Sequence, residues 1–290
     1  MTFTEIFSAS HKILSFEFFP PKNAAGMAQT QEQMRNLSCL KPDFMTVTYG
    51  AGGGTRAFTR DLVSFVHNEL ELPAAAHLTC ASHSVAEIDS VLDDLYKEGI
   101  RNVVALRGDP PKGAVIFLKH PEGFGNARDL SAHISRCRRF SIAVAGYPET
   151  HQDAISPEAD LAFLKEKVDA GAEVVITQLF FDPELYFRFR DRAAKIGIHK
   201  PIVPGIMPIG NVSQVRRFTT MCGASIPGAL LDELPRFEDD AEGLTKFGID
   251  YAIKQCQTLL DGGAPGIHLY TLNKSTQVQP LVEALSFGIA

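Results

Sequence analysis

The chain has 290 residues, 45% of them hydrophobic and 21% charged, with a formal net charge of -6. An acidic balance of this kind argues against nucleic acid or an anionic membrane surface as the main partner. No run approaches the ~18 apolar residues that a membrane-spanning helix needs, and Met1 to Lys12 lacks the basic start and apolar core of a signal peptide. The five cysteines (Cys39, Cys80, Cys137, Cys222, Cys256) are scattered without a CxxC pair. That pattern predicts reduced thiols, a cytoplasmic location and no zinc motif.

The first predicted strand starts near Ile13 and carries Ser15-Phe16-Glu17-Phe18-Phe19, stopped by Pro20-Pro21, which cannot continue a ladder. Strand alternation puts Ser15, Glu17 and Phe19 on one face and Phe16 and Phe18 on the other. Glu17 is thus a carboxyl near the C-terminal end of a buried strand, where burial favours the protonated form and makes it a candidate proton donor. A Glu paired to a structural cation is the competing reading at this point.

Further strands are predicted to start near Phe44, Ala75, Asn102, Ser141, Val174, Ile202 and Ile267. The first seven starts lie roughly 27 to 39 residues apart, the length of one strand-plus-helix unit. Amphipathic segments fill the gaps: Ser84–Lys97 carries Val85, Ile88, Val91, Leu92 and Leu95 on one face, and Asp160–Ala170 is followed by the helix stop Gly171. The last interval is about twice the others and has room for extra helices, notably Asp239–Leu260. Eight strands alternating with helices predict one domain over residues 1–290, a (β/α)8 TIM barrel with extra helices before the eighth strand. A doubly wound dinucleotide fold would need G-x-G-x-x-G after the first strand, and none stands there. Gly50-Ala51-Gly52-Gly53-Gly54 reads as a loop at the barrel mouth.

In such a barrel the chemistry sits at the C-terminal strand ends. Those ends carry Glu17; Thr48 and Tyr49; His77; Arg107, Gly108 and Asp109; Tyr147 with His151 beyond; Thr177 and Gln178; and Tyr270 to Lys274. Strand seven is apolar, with Gln214 on the helix after it. Each residue alone has an ordinary structural explanation: a core histidine, an Arg107–Asp109 ion pair, an aromatic cap. Collected on one rim, they read as a site lining. The sequence shows no metal-ligand spacing and no serine or cysteine nucleophile signature. The loop from Pro110 to Asn126, with three prolines, is long enough to fold over a large ligand.

Seven segments, in order and across nearly the whole chain, resemble the methylenetetrahydrofolate reductase family. They are Ser15-Phe16-Glu17-Phe18-Phe19-Pro20-Pro21, Val47-Thr48-Tyr49-Gly50-Ala51, His77-Leu78-Thr79-Cys80, Ala105-Leu106-Arg107-Gly108-Asp109, Tyr147-Pro148-Glu149, Ile176-Thr177-Gln178 and Tyr270-Thr271-Leu272-Asn273. The chain is similar to the short, catalytic-domain-only form. The resemblance implies an FAD-dependent barrel that reduces 5,10-methylenetetrahydrofolate to 5-methyltetrahydrofolate by ping-pong transfer from NADH or NADPH. Glu17 matches the general acid, and Asp109 the carboxylate near flavin and pterin. Thr48, Tyr49, Ala51, His77, Arg107, Gly108, Asp109, Ala127, Tyr147, His151, Asp160 and Lys167 match FAD-binding positions. Asp109, Gln178, Gln214, Phe218 and Lys274 match substrate-binding ones. The resemblance also implies a homo-oligomer whose partners are small molecules. Two positions depart from the family pattern: Lys274 stands where arginine is usual, and Asn126 where tyrosine often precedes the matched alanine, with Phe124 as a candidate replacement. The alternative expectation is a flavin- or folate-binding subunit reduced by a partner protein instead of free NAD(P)H.

Overall fold

The computed structural model describes residues 1–49, 56–109, 117, 119–285 and 287, with only the backbone of Gln214. Nine parallel strand segments form one sheet: β1 (Ile13–Phe18), β2 (Phe44–Val47), β3 (Ala74–Thr79), β4 (Asn102–Leu106), β5 (Ser141–Gly146), β6 (Val174–Thr177), β7 (Ile202–Val203), β8 (Gly205–Ile206) and β9 (Gly266–Tyr270). They are ordered β7-β6-β5-β4-β3-β2-β1-β9-β8. Pro204 separates β7 from β8 and has no N–H to give a ladder. These two pieces are therefore halves of one stave: β7 pairs with β6, β8 pairs with β9, and the sheet curls into a nearly closed TIM-like barrel of eight staves.

Helices alternate with the staves, and the local sequence sets their starts. Ser84 and Glu87 form a reciprocal capping box on α4 (Val85–Lys97). Ser156 caps α6 (Pro157–Asp169), whose first residue is a proline preset for the helix. Asn126 caps α5 (Ala127–Cys137) by accepting from the Asp129 amide. The long interval before β9 holds α8 (Val212–Cys222), α9 (Gly228–Glu233) and α10 (Ala241–Asp261), the extra helices that its length predicts. A final helix, α11 (Ser275–Glu283), follows β9. No described helix is long and apolar enough to cross a membrane.

The strands bury both faces, as parallel barrel strands do. Leu14, Phe16 and Phe18 face the surrounding helices in the large outer core. Ile13, Phe44, Ala75, Val104, Ala143, Val174 and Val203 pack together inside the barrel, with Phe3 and Ile6 of the N-terminal helix α1 (Phe3–Ile6). Asn102 accepts from the Phe3 amide at 2.7 Å, holding α1 in that place. Farther along the same strands toward their C-terminal ends, the buried residues become polar: Ser15, Glu17, Thr46, His77 and His268.

Candidate active site

Glu17 is 7% exposed. One carboxylate oxygen, Oε2, faces two imidazoles, His77 Nε2 at 3.3 Å and His268 Nε2 at 3.4 Å. The geometry to His268 is a hydrogen bond. His77 Nε2 lies off the hydrogen-bonding line and, among the described residues, has no such partner; neither does the hydroxyl of Thr46, the register neighbour of Glu17 on β2. Burial alone would raise the Glu17 pKa. The two facing rings outweigh it and hold the carboxyl at about 2. This corrects the expectation of a protonated carboxyl: that reading counted the low dielectric and not the two histidines.

His268 went unnoticed in the sequence, although it stands two residues before Tyr270 and therefore on the same strand face. Parallel pairing sets Ser15 beside His268 and Glu17 beside Tyr270. Ser15 Oγ lies 2.8 Å from His268 Nδ1. The His268 ring sits between Phe44, stacked at 6.2 Å, and Tyr270, edge-on at 5.4 Å.

The segment Tyr270 to Asn273 fastens the end of β1. Thr271 donates through both its amide and its hydroxyl to the Glu17 carbonyl. The Asn273 side chain accepts from the Phe19 amide at 2.8 Å and donates to the Phe19 carbonyl at 2.7 Å. Leu272 and Asn273 both take positive φ to make this turn. Tyr270 reaches across the barrel and donates to the Thr177 carbonyl at 2.6 Å.

A cavity of about 300 Å³ opens at the ends of β4 and β5, between α5 and α6. Arg107, Ala127, Tyr147, His151, Asp160 and Lys167, six of the positions matched to FAD binding, line it together. Lys167 is buried, donates to the Ala145 carbonyl at 2.6 Å, and is lowered to a pKa of about 8 by burial, against the opposing pull of Asp160. Arg107 pairs with Asp153 at 2.8 Å, not with Asp109. Asp160 accepts from the His151 amide, and the His151 ring meets Tyr147 edge-on at 4.6 Å. Burial lowers the His151 pKa and raises that of the Tyr147 phenol. Gly108 has φ +89°, and a Cβ there would stand 2.8 Å from Ala81 Cβ and 2.9 Å from Thr79 Cβ. The position therefore admits only glycine, and Asp109 follows it exposed on the rim.

Other predicted residues lie elsewhere. The Thr48 carbonyl accepts from Thr59, and the Tyr49 hydroxyl meets His83 Nε2 at 3.2 Å. Gln178 turns its side-chain oxygen to the Leu179 amide. Phe218 packs with the satellite cluster of Leu179, Met207 and Val215, and Lys274 is exposed at the start of α11. None of these five lines the cavity. Phe124 packs against His133 at 5.0 Å, and Asn126 is occupied as a helix cap. Ala51 lies outside the described residues, as do the rest of Gly50–Gly54 and residues 110–116 and 118 of the Pro110–Asn126 loop, and Gln214 is placed by its backbone on α8. Among the described residues no cluster of His, Cys, Asp or Glu could hold a metal ion.

The residues present suit a large anionic cofactor. A buried lysine and an arginine bring positive charge to the pocket, partly offset by Asp153 and Asp160. Fold and rim together define a (β/α)8 barrel with a buried carboxylate–imidazole centre beside a pocket lined by Arg107, Lys167 and the carboxylates of Asp153 and Asp160. The sequence model of the methylenetetrahydrofolate reductase family matches residues 2–286, and the chain belongs to that family. It is 40% identical over 262 residues to 5,10-methylenetetrahydrofolate reductase of Escherichia coli K12, covering 90% of this chain and 86% of that one. It is 42% identical over 270 residues to methylenetetrahydrofolate reductase (NADH) 1 of Arabidopsis thaliana, covering 89% of this chain but 46% of the plant protein. The chain thus spans about half the length of the plant relatives it matches. Among solved structures, an uncharacterized protein from Clostridium thermocellum that binds two copies of 5-methyl-5,6,7,8-tetrahydrofolic acid aligns with a TM-score of 0.65 over 97% of this chain and 96% of its own. At 16% identity it shares the fold alone.

Proposed function

We propose that the protein reduces 5,10-methylenetetrahydrofolate to 5-methyltetrahydrofolate, with FAD as its cofactor and NADH or NADPH as donor. The reading rests above all on six separate FAD-matched positions lining one cavity on the rim that also holds Glu17. Lys167 and Arg107 would hold the cofactor's pyrophosphate, and Tyr147 and His151 would flank it. Bound FAD would supply a two-electron carrier between nicotinamide and folate.

The chain's own residues supply the acid–base work. Glu17 gives a proton to the folate ring nitrogen, so that the five-membered ring opens to an iminium. Asp109, on the exposed rim, offsets the positive charge that develops there. The buried walls around Glu17 keep water from competing for the proton.

Anaerobic mixing tests the reading. The purified protein is expected to be yellow or to take up added FAD, to be bleached by NADH or NADPH, and to regain its colour with methylenetetrahydrofolate. A protein that binds no flavin sinks the proposal, and flavin reduction only by a partner protein selects the alternative subunit role. Glu17→Gln is expected to keep nicotinamide oxidation and to slow the folate half-reaction by about a hundredfold or more, the usual range for losing a positioned acid. Equal loss of both half-reactions would make Glu17 structural.

A further inference from the structure

A carboxyl held at about 2 by its surroundings is ionised at neutral pH, yet the reading above asks it to give up a proton. The groups behind it resolve the conflict. Ser15 Oγ lies 2.8 Å from His268 Nδ1 and donates to the Ile267 carbonyl at 3.5 Å. With its hydrogen so directed, the serine oxygen accepts from Nδ1–H. Nε2 then faces Glu17 Oε2, and the contact holds one proton, either on the ring or on the carboxyl. If the serine hydrogen turned to Nδ1 instead, Nε2–H would belong to a neutral ring that could release it only as an imidazolate, so the delivering state is the one in which Nδ1–H is donated to Ser15. That state places one proton between His268 and Glu17. His268 is 0% exposed, so that proton is shut away from water.

We propose that His268, oriented by Ser15, stores the proton that Glu17 delivers, so that the acid of the site is a Ser15–His268–Glu17 relay and not a lone carboxyl. The assignment of the delivered proton to folate rests on the proposed function. The transfer balances: the Nε2–H bond breaks and leaves its electron pair on the ring, an O–H bond forms on Glu17, and that proton passes to the substrate nitrogen. His268 ends neutral and Glu17 ionised. Solvent restores the proton through Glu17 itself, which is 7% exposed while His268 is fully buried. His268 acts through Glu17 and is a positioning residue, not a catalytic one.

The other groups facing the pair are few. β1 contributes Ser15, β2 the neutral Thr46 and the ring of Phe44, β3 His77, and β9 Tyr270, whose phenol burial keeps protonated. Among the described residues, Glu17, His77, His268 and Tyr270 are therefore the titratable set.

The test uses the full chain as purified, with the ring nitrogens of histidine and the side-chain carboxyl of glutamate isotopically labelled for NMR. The His268 ring and the Glu17 carboxyl are expected to titrate together, Glu17→Gln to change the His268 titration curve, and Ser15→Ala to shift the Nδ1 signal. In anaerobic half-reactions, His268→Gln is expected to slow folate reduction at least tenfold more than nicotinamide oxidation and to move the pH profile of the folate step by about one unit. A His268 curve indifferent to Glu17→Gln, or a His268→Gln profile that superimposes on the wild type, overturns the relay. If His268→Gln does not fold, the wild-type titration and Ser15→Ala decide between the same outcomes. Coupled titration in a protein that reduces no folate would support the proton pair and overturn only the proposed function.

Discussion

Lys167 shows what a buried charge costs the ligand-free fold. Its ammonium is buried on the cavity wall with the Ala145 carbonyl as its hydrogen-bond acceptor. Its folded pKa of about 8 lies below the ordinary 10.5, so the fold binds fewer protons than the unfolded chain between those values. The cost is full below pH 8 and fades as pH rises toward 10.5. A shift of that size corresponds to about 3 kcal/mol, and removing the charge would leave a carbonyl unpaired at about 1–2 kcal/mol. Lys167→Met is therefore expected to stabilise the ligand-free protein by roughly 1 kcal/mol at pH 7, read by urea denaturation, while weakening FAD binding. Unchanged affinity would remove Lys167 from the cofactor site. Lys167 was legible in the sequence only through the family resemblance. The partners that define the chemistry were not: His268 and Asp153 meet Glu17 and Arg107 across strand register and loop path, which no local pattern encodes.

At the scale of elements, strand ends were legible because proline, glycine and apolar runs mark them. Predicted starts at Phe44, Asn102, Ser141, Val174 and Ile202 coincide with the observed ones, and those at Ala75 and Ile267 fall one residue late. The split of the seventh stave at Pro204 follows from the missing N–H. The turn after β9 reads in the sequence as part of the site lining, with Lys274 as a substrate-binding position, and its backbone work is hidden. Asn273 replaces a ladder by bonding both ways to Phe19 and adopts φ +58°, a region asparagine tolerates better than alanine. Asn273→Ala is expected to cost about 2–3 kcal/mol, from two lost hydrogen bonds and the strained backbone. A urea midpoint unchanged from wild type would show that the turn holds without it. Because the bonds end two residues beyond Glu17, the variant should also slow the folate half-reaction.

For the whole molecule, the polar layer inside the barrel makes acid stability a report on the site. The folded Glu17 pKa of about 2 lies below the ordinary 4.5. Its contribution is therefore complete above pH 4.5 and is lost as pH falls from there toward 2. Stability measured by urea unfolding at pH 6 and pH 3 should drop more in the wild type than in Glu17→Gln. Equal drops would mean that the histidines do not hold the carboxylate.

Where the barrel closes, Gly205 donates to the Thr177 hydroxyl, and Tyr270 donates to the Thr177 carbonyl. A Cβ on Gly205 would stand 2.4 Å from that carbonyl and 2.6 Å from the phenol oxygen. The same tyrosine ring lies against His268, beside Glu17. One phenol thus works as a latch between the proton-handling centre and the seam of the barrel. A ligand that steadies the ring should tighten the closure, and amide hydrogen exchange at Gly205 and Ile206 should slow when folate is added. Exchange that slows on the rim but not at these two amides would show the latch to be decoupled from the site.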